Sequence, residues 1–209
     1  MRSALTRTTD KAPVALNFAC GHQHKCNVTC TDRAYRTASR NARQRICPKC
    51  AGSLSRIIEL AAKDEANLAG RCPLMAPKLY GSEKQVSWAG SIIKPLVPKL
   101  QAILMACKES DHPFKTEAVR LLTLLLIEKD ASFWISNAES LKHMDGFMLS
   151  GDVATMLAKN ELMNTLGLFT QWLVGKSHPQ SHSKRYGAGE VSRLIRNPER
   201  LDGFLQSEA

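Results

Sequence analysis

The sequence predicts a mainly α-helical protein with a small N-terminal α+β module organised around a metal. Three observations carry this expectation. Five of the seven cysteines and two of the six histidines crowd into residues 20 to 50. Beyond position 53, apolar residues recur at three- and four-residue steps, the period of amphipathic helices. Before position 20 the period is two: Val14, Leu16 and Phe18 alternate with Ala15, Asn17 and Ala19.

The polar residues 1–13, ending at Pro13, read as a flexible tail. The alternating stretch that follows predicts a short strand running into Cys20-Gly21-His22, and Lys25 to Thr29 predicts the return strand. A borderline-soft divalent ion takes thiolate and imidazole ligands at tetrahedral corners, in pairs set on tight turns. Cys47-x-x-Cys50 offers one such turn, stiffened by Pro48. Cys20-Gly21-His22 offers the other, because Gly21 lets the chain fold sharply between its ligands. The expected site is one structural Zn2+ held by Cys20, His22, Cys47 and Cys50, with His24, Cys26 and Cys30 as alternates. Four protein ligands leave no open position, so metal catalysis is not expected. A redox reading of Cys47-x-x-Cys50 needs a βαβ context that the surrounding residues do not suggest.

Asp32 caps a helical stretch, Arg33 to Gln44, in which Arg33, Arg36, Arg40 and Arg43 recur at three- and four-residue steps and form a stripe. Residues 1 to 50 carry ten Lys or Arg against two Asp, a net +8 of the chain's +10. The arginine stripe is the candidate contact for nucleic-acid phosphates or an acidic partner. It equally fits a solvated face, or one that meets acidic residues elsewhere in the chain.

Leu54, Ile57, Ile58, Leu60 and Ala61 form an apolar stripe, which predicts a helix over 53–69 closed by Gly70. The proline-rich residues 71–81 read as a linker. Ser82 followed by Gln85 is a capping box opening the next helix. Its face is Val86, Ala89, Ile92 and Ile93, with Trp88 beside it, and Pro95 and Pro98 should kink or interrupt it.

Gly81-Ser82-x-Lys84-Gln85-x-x-Trp88-Ala89, downstream of Cys-Gly-His and Cys-x-x-Cys, resembles a little-characterised family of bacterial and mobile-element proteins. Those chains pair a zinc-ribbon-like module with a helical segment opening on a Leu-Thr-Gly-Ser-x-Lys-Gln-like motif. They carry a later Trp-Trp-Ile-Asp-like patch, to which Phe133-Trp134-Ile135-Ser136-Asn137 is similar. The resemblance spans residues 16 to 137 and implies the ligand set Cys20, His22, Cys47 and Cys50. This sequence departs from the pattern at Tyr80 and in adding His24, Cys26 and Cys30. The resemblance implies a plasmid or phage accessory gene, a class that includes fertility-inhibition proteins and antirestriction factors.

Thr116 to Lys129 predicts a strongly apolar central helix, Ser132 to Lys142 another, and Val153 to Val174 a long one capped by Asp152. Residues 175–189 read as a linker, with His178 and His182 on it, and Val191 to Leu205 as a short terminal helix carrying Arg193, Arg196 and Arg200. Gly175-Lys176-Ser177 is no phosphate loop, since Thr170 stands where the first glycine belongs. The organisation expected is a flexible tail at 1–13, a zinc-binding module at 14–70, a linker at 71–81, a helical domain at 82–174 and a linker with a short helix at 175–209.

Hydrophobic content of 44% supports a core at 209 residues. The N-terminus lacks the apolar run of a secretory signal, and no stretch approaches a membrane span. Seven cysteines then suggest a reducing, cytoplasmic setting. Hydrolase, metalloprotease and dinucleotide motifs are absent from the sequence, which points away from an enzyme. The leading expectation is a protein-binding regulator or inhibitor, such as a fertility inhibitor of conjugative transfer. Its rival is a basic DNA- or RNA-binding regulator. Aromatic content of 6% weighs against a stacking platform for single strands.

Overall fold

The computed structural model describes residues 10–142 and 146–157. It is mostly helical, with one small antiparallel sheet at its N-terminal end. Strands β1 (Lys11–Asn17) and β2 (Gln23–Thr29) pair with Val14 opposite Cys26 and Leu16 opposite His24. Alternation places Leu16 and Val28 in the buried layer. Pro13, expected in the tail, lies within β1 opposite Asn27. A two-stranded sheet has only edge strands, where a residue without an N–H is tolerated.

Helix α1 (Asp32–Arg43) lies against this hairpin. Thr31, not Asp32, is its N-cap, and its hydroxyl accepts the Ala34 N–H at 3.2 Å. Ala34, Ala38 and Ala42 recur at four-residue steps and pack on Leu16, Val28, Val14 and Cys26. This is a small core, and it holds because alanines let helix and sheet approach closely.

The expected 53–69 helix is longer at its start and divided near its end: α2 spans Pro48–Lys63 and α3 spans Glu65–Gly70. Cys47 is the N-cap of α2 and Pro48 its first helical residue, where the missing N–H costs nothing. α4 (Glu83–Glu109) opens with the capping box: the Ser82 hydroxyl accepts the Gln85 N–H, and Gln85 Oε1 accepts the Ser82 N–H at 3.0 Å. It is not interrupted at Pro95 or Pro98. Each proline forfeits one helical hydrogen bond, but Ile93, Leu96, Val97 and Leu100 around them are buried, and that packing holds the helix together.

α5 (Lys115–Leu126), α6 (Ala131–Lys142) and α7 (Gly146–Leu157) complete the described body. α4 packs against α2, α3, α5 and α6, while α7 packs against α2 and α5. One continuous core therefore runs from Ile46, Cys47, Cys50 and Leu54 through Leu100 and Leu122 to Trp134 and Val153. Residues of the expected zinc-binding module and of the helical body share this core across 71–81. Phe133 and Trp134 are wholly inside it, with the Trp134 indole N–H donating to the Glu128 carbonyl at 2.9 Å.

The motif around Gly81 has a structural explanation. Tyr80 forms a parallel bridge with Asp130, its N–H donating to the Lys129 carbonyl and its carbonyl accepting from Ala131 N–H. Gly81 then turns with φ of 154°, and a Cβ there would sit 3.1 Å from Ala131 Cβ. The remainder of the expected 153–174 helix, the 175–189 linker with His178 and His182, and the terminal helix with Arg193, Arg196 and Arg200 lie outside the described residues. No helix among the described residues is long and apolar enough to cross a membrane.

Candidate metal centre and basic face

The turn joining β1 to β2 and the start of α2 meet at one point. Gly21, at φ of 74°, takes the left-handed conformation that reverses the chain between Cys20 and His22. The Phe18 N–H bonds the His22 carbonyl, and the Gly21 N–H bonds the Phe18 carbonyl, closing the turn. A third bond, from Ala19 N–H to the Arg45 carbonyl at 2.9 Å, ties this turn to the segment leading into Cys47. The Cys47 N–H in turn points at Cys20 Sγ, 3.2 Å away.

The four donor atoms of Cys20, His22, Cys47 and Cys50 all lie within 4.8 Å of one another. His22 Nδ1 is 3.8 Å from Cys47 Sγ and 3.3 Å from Cys50 Sγ. A zinc ion bound tetrahedrally at ordinary bond lengths separates sulfur from nitrogen by about 3.6 Å and sulfur from sulfur by about 3.8 Å. The cluster therefore has the dimensions of a closed four-ligand metal site. Cys47 and Cys50 are buried, Cys20 is half-buried and His22 is exposed. None of the seven cysteines is in a disulfide.

The sulfurs perturb one another. Burial would raise the Cys47 thiol, but the Cys50 backbone N–H and hydrogen bonds from Cys50, His22 and Cys20 outweigh it and lower it to about 7. Burial, then the neighbouring Cys47 and Cys20 sulfurs, push Cys50 up to about 12. Cys47 and Cys50 thiolates this close repel each other, and a cation between them would let both ionise.

The alternates lie elsewhere. His24 is an exposed residue of β2 whose ring meets Phe18 edge-on at 6.5 Å between centroids. Cys26 packs in the small core under α1. Cys30 is exposed just before α1, its N–H bonded to the Asp10 carbonyl. The spacing of Cys26 and Cys30 suits a ligand pair, but strand pairing carries both away from Cys47 and Cys50.

The second site is the outer face of α1. At about 100° per residue, Arg33, Arg36, Arg40 and Arg43 centre directly opposite Ala34, Ala38 and Ala42, the face packed on the hairpin. All four arginines are exposed. None makes an ion pair among the described residues, so the acidic residues of the described body do not neutralise them. Tyr35 lies nearer the packed alanine face than the stripe and is 48% exposed. Lys25 and Lys49 add exposed positive charge to the same module.

One residue that touches the backbone of this cluster carries no spacing signal. His112, between α4 and α5, is buried and reaches the Cys50 carbonyl at 3.1 Å. A lone histidine in a connecting segment carries no sequence signal for this. The chain matches no protein-family model, no curated protein and no solved structure.

Proposed function

We propose that this chain is a non-enzymatic, zinc-stabilised binding protein whose N-terminal module docks through α1 onto a polyanion, nucleic-acid backbone in the first instance. The observation that carries the reading is the arginine stripe, exposed and without an ionic partner among the described residues, on a helix whose opposite face is packed. A helix built this way has spent its inner face on the fold and offers only charge on its outer one. Phosphates are the ligand such a row suits.

Zinc is the metal of choice for three thiolates and one imidazole in a closed tetrahedral set. Its role is structural: it joins the hairpin turn to the start of α2 and so sets where α1 stands. Seven unpaired thiols suit a cytoplasm that keeps them reduced. The test is titration of a fluorescent random-sequence duplex with the full chain at low salt. Binding that is weakened by salt and abolished when all four arginines become Gln supports the reading. Unchanged binding by that variant refutes it.

One observation favours a second reading, a protein-binding regulator of a plasmid or other mobile element such as a fertility inhibitor. In the Gly81 to Ala89 motif, the fold accounts for Gly81, Ser82, Gln85 and Ala89, but Lys84 and Trp88 stay on the surface, with Trp88 60% exposed. Under this reading Trp88→Ala leaves stability and duplex binding intact and abolishes inhibition of conjugative transfer in cells. An unaltered transfer phenotype removes it.

A further inference from the structure

Metal sites depend on the groups that hold their ligands in place as much as on the ligands. At this site the ligand pair of α2 is tethered from the far side of the sequence. His112 stands 62 positions beyond Cys50 and is 5% exposed. Both its ring nitrogens are used. Nδ1 accepts the Phe114 backbone N–H at 3.1 Å, which can only donate. Nε2 faces the Cys50 carbonyl, which can only accept. The neutral tautomer with its proton on Nε2 is therefore the one the surroundings select. The backbone N–H of His112 is taken up by the Ser110 hydroxyl, and its ring meets Phe114 edge-on at 5.8 Å. Two hydrogen bonds and one aromatic contact hold the imidazole.

The Cys50 carbonyl lies in the first turn of α2, where helical bonding already gives it a partner. The bond from His112 is additional to the helix and acts sideways, fixing the start of α2 to the corner between α4 and α5. Cys47 and Cys50 must meet Cys20 and His22 arriving on a different element, so their placement relative to the body decides whether four donors converge. We infer that His112 is a positioning residue of the metal centre, holding the Cys50 carbonyl so that the α2 ligand pair is set for the ion before it binds. The inference rests on the metal reading of the Cys20, His22, Cys47 and Cys50 cluster.

The two hydrogen bonds of the ring can be separated by substitution. His112→Gln can place an N–H where Nε2–H lies and so keep the bond to Cys50. His112→Asn can place an oxygen where Nδ1 lies, keeping the bond from Phe114 and losing the one to Cys50. Zinc affinity of the full chain is measured by competition with a chromogenic chelator, alongside the urea midpoint of each variant. The expected result is that Gln binds zinc within about twofold of wild type while Asn binds roughly tenfold more weakly, the lower end for loss of an outer-shell partner. Equal affinity in all three proteins overturns the inference. So does equal weakening of both variants, or weakening of Gln alone, since either outcome assigns the effect to the Phe114 turn or to general destabilisation. A wild-type chain that takes up no zinc fails differently: it removes the metal reading itself, and this inference with it.

Discussion

Replacing Arg36 by Gln should change how binding responds to salt while leaving the fold intact. The ten helical steps from Arg33 to Arg43 span about 15 Å along α1, a length over which four side chains can reach four phosphates. Each phosphate neutralised on duplex DNA contributes about 0.9 to the slope of log affinity against log salt. Four contacts give a slope near −3.6, so raising salt from about 50 to 200 mM should weaken wild-type binding ~150-fold, and the Arg36→Gln variant only ~40-fold. Arg36 is chosen because it is exposed, lacks an ion pair among the described residues and sits clear of the last turn, where Arg40 and Arg43 favour the helix dipole. Gln is nearly as good a helix former as Arg, so stability should change by less than about 0.5 kcal/mol. Fluorescence anisotropy on a labelled duplex, repeated across a salt series, reads the slope directly. A variant with unchanged slope and unchanged affinity would refute the phosphate-tracking argument, whatever the wild type binds.

Two other outcomes follow from the geometry. Gly81→Ala forces a side chain into a conformation with φ of 154° and brings its Cβ to 3.1 Å of Ala131, so unfolding in urea should show a loss of about 2–3 kcal/mol; a loss under about 0.5 kcal/mol would mean the Tyr80 to Ala131 junction relaxes freely. Zinc uptake should release protons, because Cys50 at about 12 holds its proton at neutral pH and Cys47 at about 7 holds part of one. Apparent zinc affinity therefore falls as pH drops, and falls more steeply below about pH 7 as Cys47 gains its proton. Calorimetry in buffers of different ionisation enthalpy counts those protons, and pH-independent uptake would contradict thiolate ligation.

Much of the N-terminal module is legible because its rules are local. Alternation at Val14, Leu16 and Phe18 marks the first strand, and the capping box at Ser82 marks the start of α4. What escaped reading depends on contacts between distant residues. The proline-rich 71–81 stretch looks like a boundary, yet Leu54 and Ile58 on one side share a core with Leu96 and Leu100 on the other. No local pattern records that. Pro95 and Pro98 are helix breakers by propensity, and only the burial of their neighbours overrides them. The start of α2 carries one local signal, Pro48 at the first helical position, while Cys47 makes no side-chain cap. Cys26 and Cys30 had ligand spacing, and pairing of β1 with β2 decides against their meeting the α2 pair. His112 has no neighbour in sequence that hints at Cys50.

The most direct test of the account is metal content of the full chain, purified without chelator, measured beside that of the Cys50→Ser variant. The account predicts one zinc per wild-type chain and none in the variant, with the wild type losing its hairpin and α1 signals in an NMR spectrum when a strong chelator removes the ion. A wild-type chain that is folded, metal-free and unresponsive to added zinc would contradict it.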